Sequence, residues 1–379
     1  MTPEFSAGEF SAGEASAGAV LDIDLHAIAD NWNALRRQHP SGPVAAVLKA
    51  DAYGLGAVPV ARRLFAAGCR HVFTAHLSEA QAIRPLLPNP LPPGAMLAVL
   101  NGLWPGDAPA YADAGIAPVL GSLAEIEDWA AHARALGRPL PALLHIDTGM
   151  NRLGLPPEEL DVLAAEPGRL DGVRLLYIMT HLASAEAPGD PINATQRDRF
   201  AQACARLPAA PRSLANSSGC FLGPAFGSDL ARPGAALFGV NPTPGDPNPM
   251  RAAVRLRARI LQVREVPPGG RVGYNGVWVA GRPSRIATVS VGYADGYPRS
   301  LTNAAAACFD EQAVPLVGRV SMDLSTFDIT DAPGATVGSW LDLIGPGMTV
   351  DEVARRAGTN GYEILTQLGA RYRRAYLGA

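Results

Sequence analysis

Lysine is almost missing from this chain. Among 379 residues there are 32 lysines and arginines together, and Lys49 is the only lysine. Arginine serves solubility, surface ion pairing and phosphate contacts as well or better, so those duties do not explain the exception. What an amine can do and a guanidinium cannot is lose its proton when partly desolvated, attack a carbonyl and form a Schiff base.

Other absences narrow the field further. There are four cysteines, Cys69, Cys204, Cys220 and Cys308, and no C-x-x-C pair. That spacing argues against zinc or any other metal site and against structural disulfides, and it suits the reducing cytoplasm. No apolar run is long enough to span a bilayer. The net charge of −3 offers no basic excess, which excludes a general nucleic-acid or anionic-membrane surface. No G-x-G-x-x-G follows the first apolar run, which weakens a dinucleotide-binding sheet. The first 18 residues, "MTPEFSAGEFSAGEASAG", lack the basic start and apolar centre of a signal peptide and read as a disordered tail.

What is present is alternation. Short apolar runs at 44–49, 71–76, 95–100, 116–120, 141–147, 173–179, 212–216 and 235–240 are separated by helical patterns such as "LAEIEDWAAHARALG". Near-continuous apolar strands between helices predict a parallel sheet covered on both faces, and eight such units predict a (β/α)8 TIM-like barrel over residues 19–248. A doubly wound open sheet is the alternative. The proline-rich "NPTPGDPNPM" at 241–250 reads as a linker. Beyond it, "AVRLRARILQVREV" alternates with period two, so residues 249–379 are expected to form a mostly antiparallel β domain, with short helices near 349–357 and 361–369.

In such a barrel the chemistry sits at the carboxyl ends of the strands. Lys49 ends the first strand, with Tyr53 in its loop. Arg152 follows the fifth, His181 the sixth, Ser217 the seventh, and Arg232, Gly234 and Ala235 lie around the eighth. Each has a simpler use. Tyr53 could pack on the rim, Arg152 could pair with Asp147, Ser217 could cap a helix, His181 could be a hydrogen-bonded strand end, and Gly234 could make a turn. Their recurrence at successive strand ends favours a site. The loops after strands seven and eight are the usual phosphate cradle of these barrels, where small residues let backbone N–H groups approach an anion. One rim thus carries a Schiff-base lysine and a phosphate cradle. A cofactor with both an aldehyde and a phosphate is pyridoxal 5'-phosphate.

The motifs "LKADAYGLG", "HIDTGMNRLG", "THLA", "ANSSG", "ARPGAALFG", "GGRVGYNG", "VGYADGYPR" and "GRVSMD" occur in this order. In them the chain resembles the alanine racemase family, pyridoxal-phosphate enzymes of fold type III, from about residue 19 to 377. The resemblance implies interconversion of L-alanine and D-alanine by two bases, Lys49 on one face of the substrate and Tyr274 on the other. It implies that Lys49 binds the cofactor covalently, that Tyr53, Ser217, Gly234 and Ala235 hold its phosphate, that Arg232 faces the ring nitrogen and that His181 orients the ring. Arg152 and Met322 would meet the substrate carboxylate, and Tyr293 would line the entrance. It further implies a homodimer whose active sites are shared between chains.

Two positions depart from the family pattern. Where many members carry a carbamylated lysine that orients the arginine, this chain has His145, so His145, an anion or another carboxylate is expected to hold Arg152. Where many have a phosphate-contacting tyrosine near the C-terminus, the matching position reads Ala370. A broad-specificity or serine racemase is the nearest alternative function. A decarboxylase of similar architecture is disfavoured by Arg232, and a non-catalytic cofactor-binding barrel by the β domain and Tyr274.

Overall fold

The computed structural model describes residues 17–89 and 91–378. The tail read from residues 1–18 therefore lies outside the described residues except for its last two. Of these, Gly18 is already structural, its carbonyl accepting from the Arg259 N–H at 2.9 Å.

Seven parallel strands follow one another in chain order: Ala46–Val47, His71–Thr74, Met96–Val99, Ala117–Leu120, Leu140–His145, Val173–Met179 and Arg212–Ser213. Helices between them cover the outside. Leu123–Ala135 is representative: Ser122 accepts from the Glu125 N–H at its start, and Ile126, Trp129, Ala130 and Ala133 fall on one buried stripe. Inside, Val47, Phe73, Met96, Val119, Leu143 and Met179 fill the barrel. The interior is packed, so only the rim is open to chemistry.

The ring closes one step earlier than the sequence pattern predicts. Ala45 donates to the Ala231 carbonyl, Val47 to that of Pro233 and Arg232 to that of Ala215, at 2.8–3.0 Å. Residues 231–233 therefore act as the eighth strand. The apolar run expected to be that strand, 235–240, instead forms the 3-10 helix Ala235–Phe238. Ala236, Leu237 and Phe238 are buried as expected. Burial is what apolarity reports, and a helical turn satisfies it as well as a strand does.

The second domain is built on the long strand Val254–Val266, which pairs antiparallel with Ala19–Asp24, Ser284–Val289 and Trp340–Ile344. Ala19–Asp24 also pairs in parallel with Arg373–Leu377. The segment 19–24, assigned from sequence to the barrel, is thus a strand of the β domain. Arg257 clamps it through a two-pronged pair with buried Asp22, at 2.7 and 3.0 Å. The helices Val350–Ala357 and Gly361–Gln367 occur close to where they were expected.

The connection at 241–250 is pinned. Asn241 N–H donates to Asp351 and Asn248 to the Gly239 carbonyl, at 3.1 and 2.8 Å. At its end Asn31, on helix Leu25–Gln38, bonds both the N–H and the carbonyl of Arg251. The β domain also reaches the barrel rim. Arg374 donates to the Gly54 carbonyl at 2.5 Å, and Gly54 (φ +81°) lies so close to the Leu365 carbonyl that a Cβ there would sit 2.5 Å from its oxygen. Only glycine meets both conditions.

Candidate active site

The strand Ala46–Val47 delivers Lys49 to the rim, and the backbone then does something rare. Ala50, Asp51, Ala52 and Tyr53 all have φ between 52° and 55° and ψ between 41° and 53°. This is one turn of left-handed helix made of L-residues without a glycine, a conformation costing about 1–2 kcal/mol per residue. Specific contacts hold it. Ala50 N–H donates to Glu79 Oε1 at 2.6 Å, Ala52 N–H to the Leu48 carbonyl at 2.9 Å and Ala57 N–H to Asp51 Oδ1 at 2.7 Å. Strain kept in place this way is typical of functional sites.

Around Lys49 the structure gathers basic groups. Burial pulls its amine below the ordinary lysine range, the Arg152 guanidinium adds to this, and Glu79 opposes it. Arg232 is buried, its two terminal nitrogens each 2.5 Å from an oxygen, Ser213 Oγ and the Thr180 carbonyl. Burial lowers its pKa to about 10, which leaves it charged at neutral pH. His181 is held well below the usual histidine range by burial and then by Arg232, Arg152, His145 and Lys49. His145 is pushed down to about 4, by burial first, with Arg232 and Arg152 adding and Asp147 opposing. Both imidazoles are therefore neutral in a field set by Lys49, Arg152 and Arg232, a field suited to anionic groups.

Asp147 does not pair with Arg152. Its carboxylate accepts the backbone N–H groups of Gly149, Met150 and Asn151 at 2.9–3.2 Å. It shapes the loop that carries Arg152, whose exposed guanidinium has no ion pair among the described residues.

An anion cradle lies on the same rim. The N–H groups of Gly234 and Ala236 converge on Ser217 Oγ, at 3.0 and 3.3 Å. Tyr53 Oη presses against Gly234 so closely that a Cβ there would lie 2.2 Å away. The Tyr53 ring rests on Phe238 with centroids 5.1 Å apart, and burial pushes its phenol pKa up, so it stays a neutral donor. The sequence placed Ala235 in this cradle. It opens the 3-10 helix, and the N–H that joins Gly234 on Ser217 Oγ is that of Ala236.

Tyr274, Tyr293 and Met322 form a separate group on the β domain. Tyr274 stands 68% exposed on the turn Tyr274–Gly276. Tyr293 N–H donates to the Ser321 carbonyl and Ala294 N–H to that of Met322, so the two loops run together. Arg371 fixes them through Asp295 and Asp323, at 2.6 and 2.8 Å. Tyr293 and Met322 are exposed as well. Among the described residues no hydrogen bond joins these three side chains to the barrel rim.

Several participants were not legible beforehand. Glu79 acts on a backbone N–H, Thr180 holds Arg232 through a backbone carbonyl, and Ser213 does so through a hydroxyl 19 residues away in the chain. Tyr362, on helix Gly361–Gln367, faces Tyr53 and bonds Glu186 at 3.2 Å, bringing a tyrosine to the rim that the pattern around Ala370 did not suggest.

The comparisons with known proteins agree with this architecture. The family profile "Alanine racemase, N-terminal domain" matches residues 23–242, and "Alanine racemase, C-terminal domain" matches residues 253–376. The alanine racemase of Acidiphilium cryptum is 55% identical over 354 residues, 93% of this chain and 97% of that one. A relative from Agrobacterium fabrum, named "Alanine racemase, catabolic", is 48% identical over 94% of this chain and 92% of its own. Among solved structures, alanine racemase from Bartonella henselae with covalently bound pyridoxal phosphate superposes with a TM-score of 0.91 at 40% identity, covering 95% of this chain and all of that one. The biosynthetic alanine racemase of Pseudomonas aeruginosa gives 0.87 at 35% identity, covering 95% and 99%.

Proposed function

The chain belongs to the alanine racemase family, and from that premise we propose that it interconverts L-alanine and D-alanine with pyridoxal phosphate, using Lys49 and Tyr274 as its two bases. The observation that carries the reading is the placement of the sole lysine. It is held on a strained turn, with a depressed amine pKa, on the rim that also bears an anion cradle.

The residues present fit the cofactor. Ser217, Gly234, Ala236 and Tyr53 offer a cradle whose donors already converge on one oxygen. Lys49 would be the point of covalent attachment. Arg232, charged and fixed from behind by Ser213 and Thr180, would face the ring nitrogen, and neutral His181 would orient the ring. Bound pyridoxal phosphate supplies a conjugated ring that takes up the negative charge left when the substrate Cα loses its proton.

The protein's own work is to move that proton. The Lys49 amine, desolvated and with its pKa pulled down by burial, accepts or returns it on one face. The Tyr274 hydroxyl does the same on the other. Removal on one face and return on the other inverts the centre without the substrate turning over. Arg152 and the Met322 backbone hold the substrate carboxylate, and Tyr293 lines the approach.

Tyr274, Tyr293 and Met322 stand exposed on the β domain, as expected of groups that complete a neighbouring molecule's barrel rim. We assign the protein to homodimers with shared sites. We also infer a cytoplasmic location, which its four free, buried cysteines support; no helix among the described residues is long and apolar enough to cross a membrane.

The test is direct. Purified protein incubated with a panel of L-amino acids is read by chiral chromatography. L-Alanine should pass to equal amounts of both enantiomers, since mirror images have equal free energy. Persistence of pure L-alanine would end the reading, and faster conversion of serine would move it to a broader racemase.

A further inference from the structure

Glu79 sits in the first turn of helix Leu77–Ile83, where its Oε2 accepts the N–H groups of Ala75 and His76, at 2.8 and 3.0 Å. That is helix capping, and it explains one oxygen. The other oxygen does something capping does not require. Oε1 takes the N–H of Ala50 at 2.6 Å, from a segment 29 residues upstream. This is the shortest of the three bonds. Ala50 is exposed, so water could satisfy its N–H. What the carboxylate adds is a fixed position and a negative charge, both applied to the residue after Lys49.

We propose that Glu79 is a positioning residue for Lys49: it pins the left-handed turn at its first residue and sets a carboxylate against a site otherwise lined by positive charge. The groups facing Lys49 are Arg152 from the loop after Leu140–His145, His181 from the end of Val173–Met179, and Glu79. Asp51, on the turn itself, is occupied by the Ala57 N–H. Arg152 and burial favour the neutral amine, and Glu79 alone of the three neighbours favours the charged one. The carboxylate thus limits how far the amine is depressed. A base that must both accept and release a proton needs that balance. This inference rests on the reading of Lys49 as the cofactor lysine.

The test uses the fact that the chain has one lysine. Full-length wild type, Glu79→Gln and Glu79→Asp are stripped of cofactor with hydroxylamine. They are then labelled with acetic anhydride over a pH series, and the Lys49 peptide is quantified by mass spectrometry. Glutamine keeps the length and, through its one carbonyl oxygen, the cap on Ala75 and His76, but it loses the charge and sets an NH2 donor against the Ala50 N–H; aspartate keeps the charge but not the reach. The proposal expects Lys49 in Glu79→Gln to label about three-fold faster at a fixed pH below its midpoint, with the midpoint moved down. In Glu79→Asp it expects the wild-type labelling midpoint with weaker cofactor binding. If Glu79→Gln labels as wild type does while Glu79→Asp loses only melting temperature, the residue is a cap and the proposal is overturned. If Glu79→Gln does not fold, the aspartate variant decides: unchanged cofactor affinity rejects the positioning role, and weakened affinity supports it. Borohydride reduction of wild-type holoprotein separates the premise, because a pyridoxyl mass absent from the Lys49 peptide would sink the cofactor-lysine reading whatever the labelling shows.

Discussion

Arg374 donates to the Gly54 carbonyl oxygen at 2.5 Å. The last strand of the chain is thereby tied to the end of the turn that follows Lys49, and the β domain becomes part of the support for a residue on the barrel. The guanidinium also bonds the Leu368 and Gly369 carbonyls, each at 3.4 Å. Replacing it by methionine keeps much of the stem and removes these donors. Arg374→Met should lose about 1–3 kcal/mol of stability, the scale of hydrogen bonds from a charged donor. It should also bind pyridoxal phosphate more weakly, because the turn it anchors carries both Lys49 and Tyr53. Denaturant titration and cofactor fluorescence read the two effects. Equal cofactor affinity in the variant would mean that the turn holds itself.

Covalent attachment has a simple signature here. The holoprotein should absorb in the visible, and borohydride reduction should place the pyridoxyl mass on the peptide that contains Lys49. Lys49→Arg keeps the charge but should abolish the adduct, since a guanidinium does not form this linkage.

His145 gives a pH effect with a definite sign. Its folded pKa of about 4 lies below its ordinary value of 6.5. Between those values the unfolded chain binds more protons than the folded one, so stability is present above pH 6.5 and is lost as pH falls toward 4. The shift corresponds to on the order of 3 kcal/mol when fully expressed. His145→Asn should flatten the acid limb of stability against pH relative to wild type, measured by urea unfolding at pH 7, 6, 5 and 4. Parallel limbs would mean that His145 is not buried as described.

The same residue bears on the substrate. Lys49 being the only lysine, no lysine can be carbamylated beside Arg152, and activity should not respond to bicarbonate. His145→Ala should raise the KM for alanine more than it weakens cofactor binding, because His145 lies within the electrostatic reach of Arg152 and the cradle is built from other residues. Loss of cofactor with an unchanged KM would place His145 elsewhere in the mechanism.

Much of this molecule was legible in its sequence, for identifiable reasons. The barrel strands are fully buried, and that writes short apolar runs between helices. What the sequence obscured depended on distant partners. Residues 19–24 look like any short strand, and only their pairing with Val254–Val266 and Arg373–Leu377 puts them in the second domain. The run 235–240 is as apolar as a strand, yet Pro233 and Gly234 have already ended the ladder. The residues Ala50, Asp51, Ala52 and Tyr53 contain no glycine or asparagine to signal a left-handed turn. Local bonds to Leu48 and Asp51 help to hold them, but the Glu79 carboxylate at one end and Arg374 at Gly54 come from distant parts of the chain. Lys49 stood out because it was alone in its type, whereas Glu79 is one acid among 35 acidic residues.

The measurement that bears most directly on the account joins its two bases. Lys49 belongs to the barrel and Tyr274 to an exposed face of the β domain. In a dimer with shared sites, Lys49→Ala and Tyr274→Phe should each be nearly inactive alone. A heterodimer of the two has one site with both defects and one with neither. Co-refolding equal amounts should therefore restore about a quarter of wild-type racemase activity, from half the dimers with one intact site each. No recovery in a mixture shown to contain heterodimers would contradict the assignment of the two bases to opposite chains of one active site.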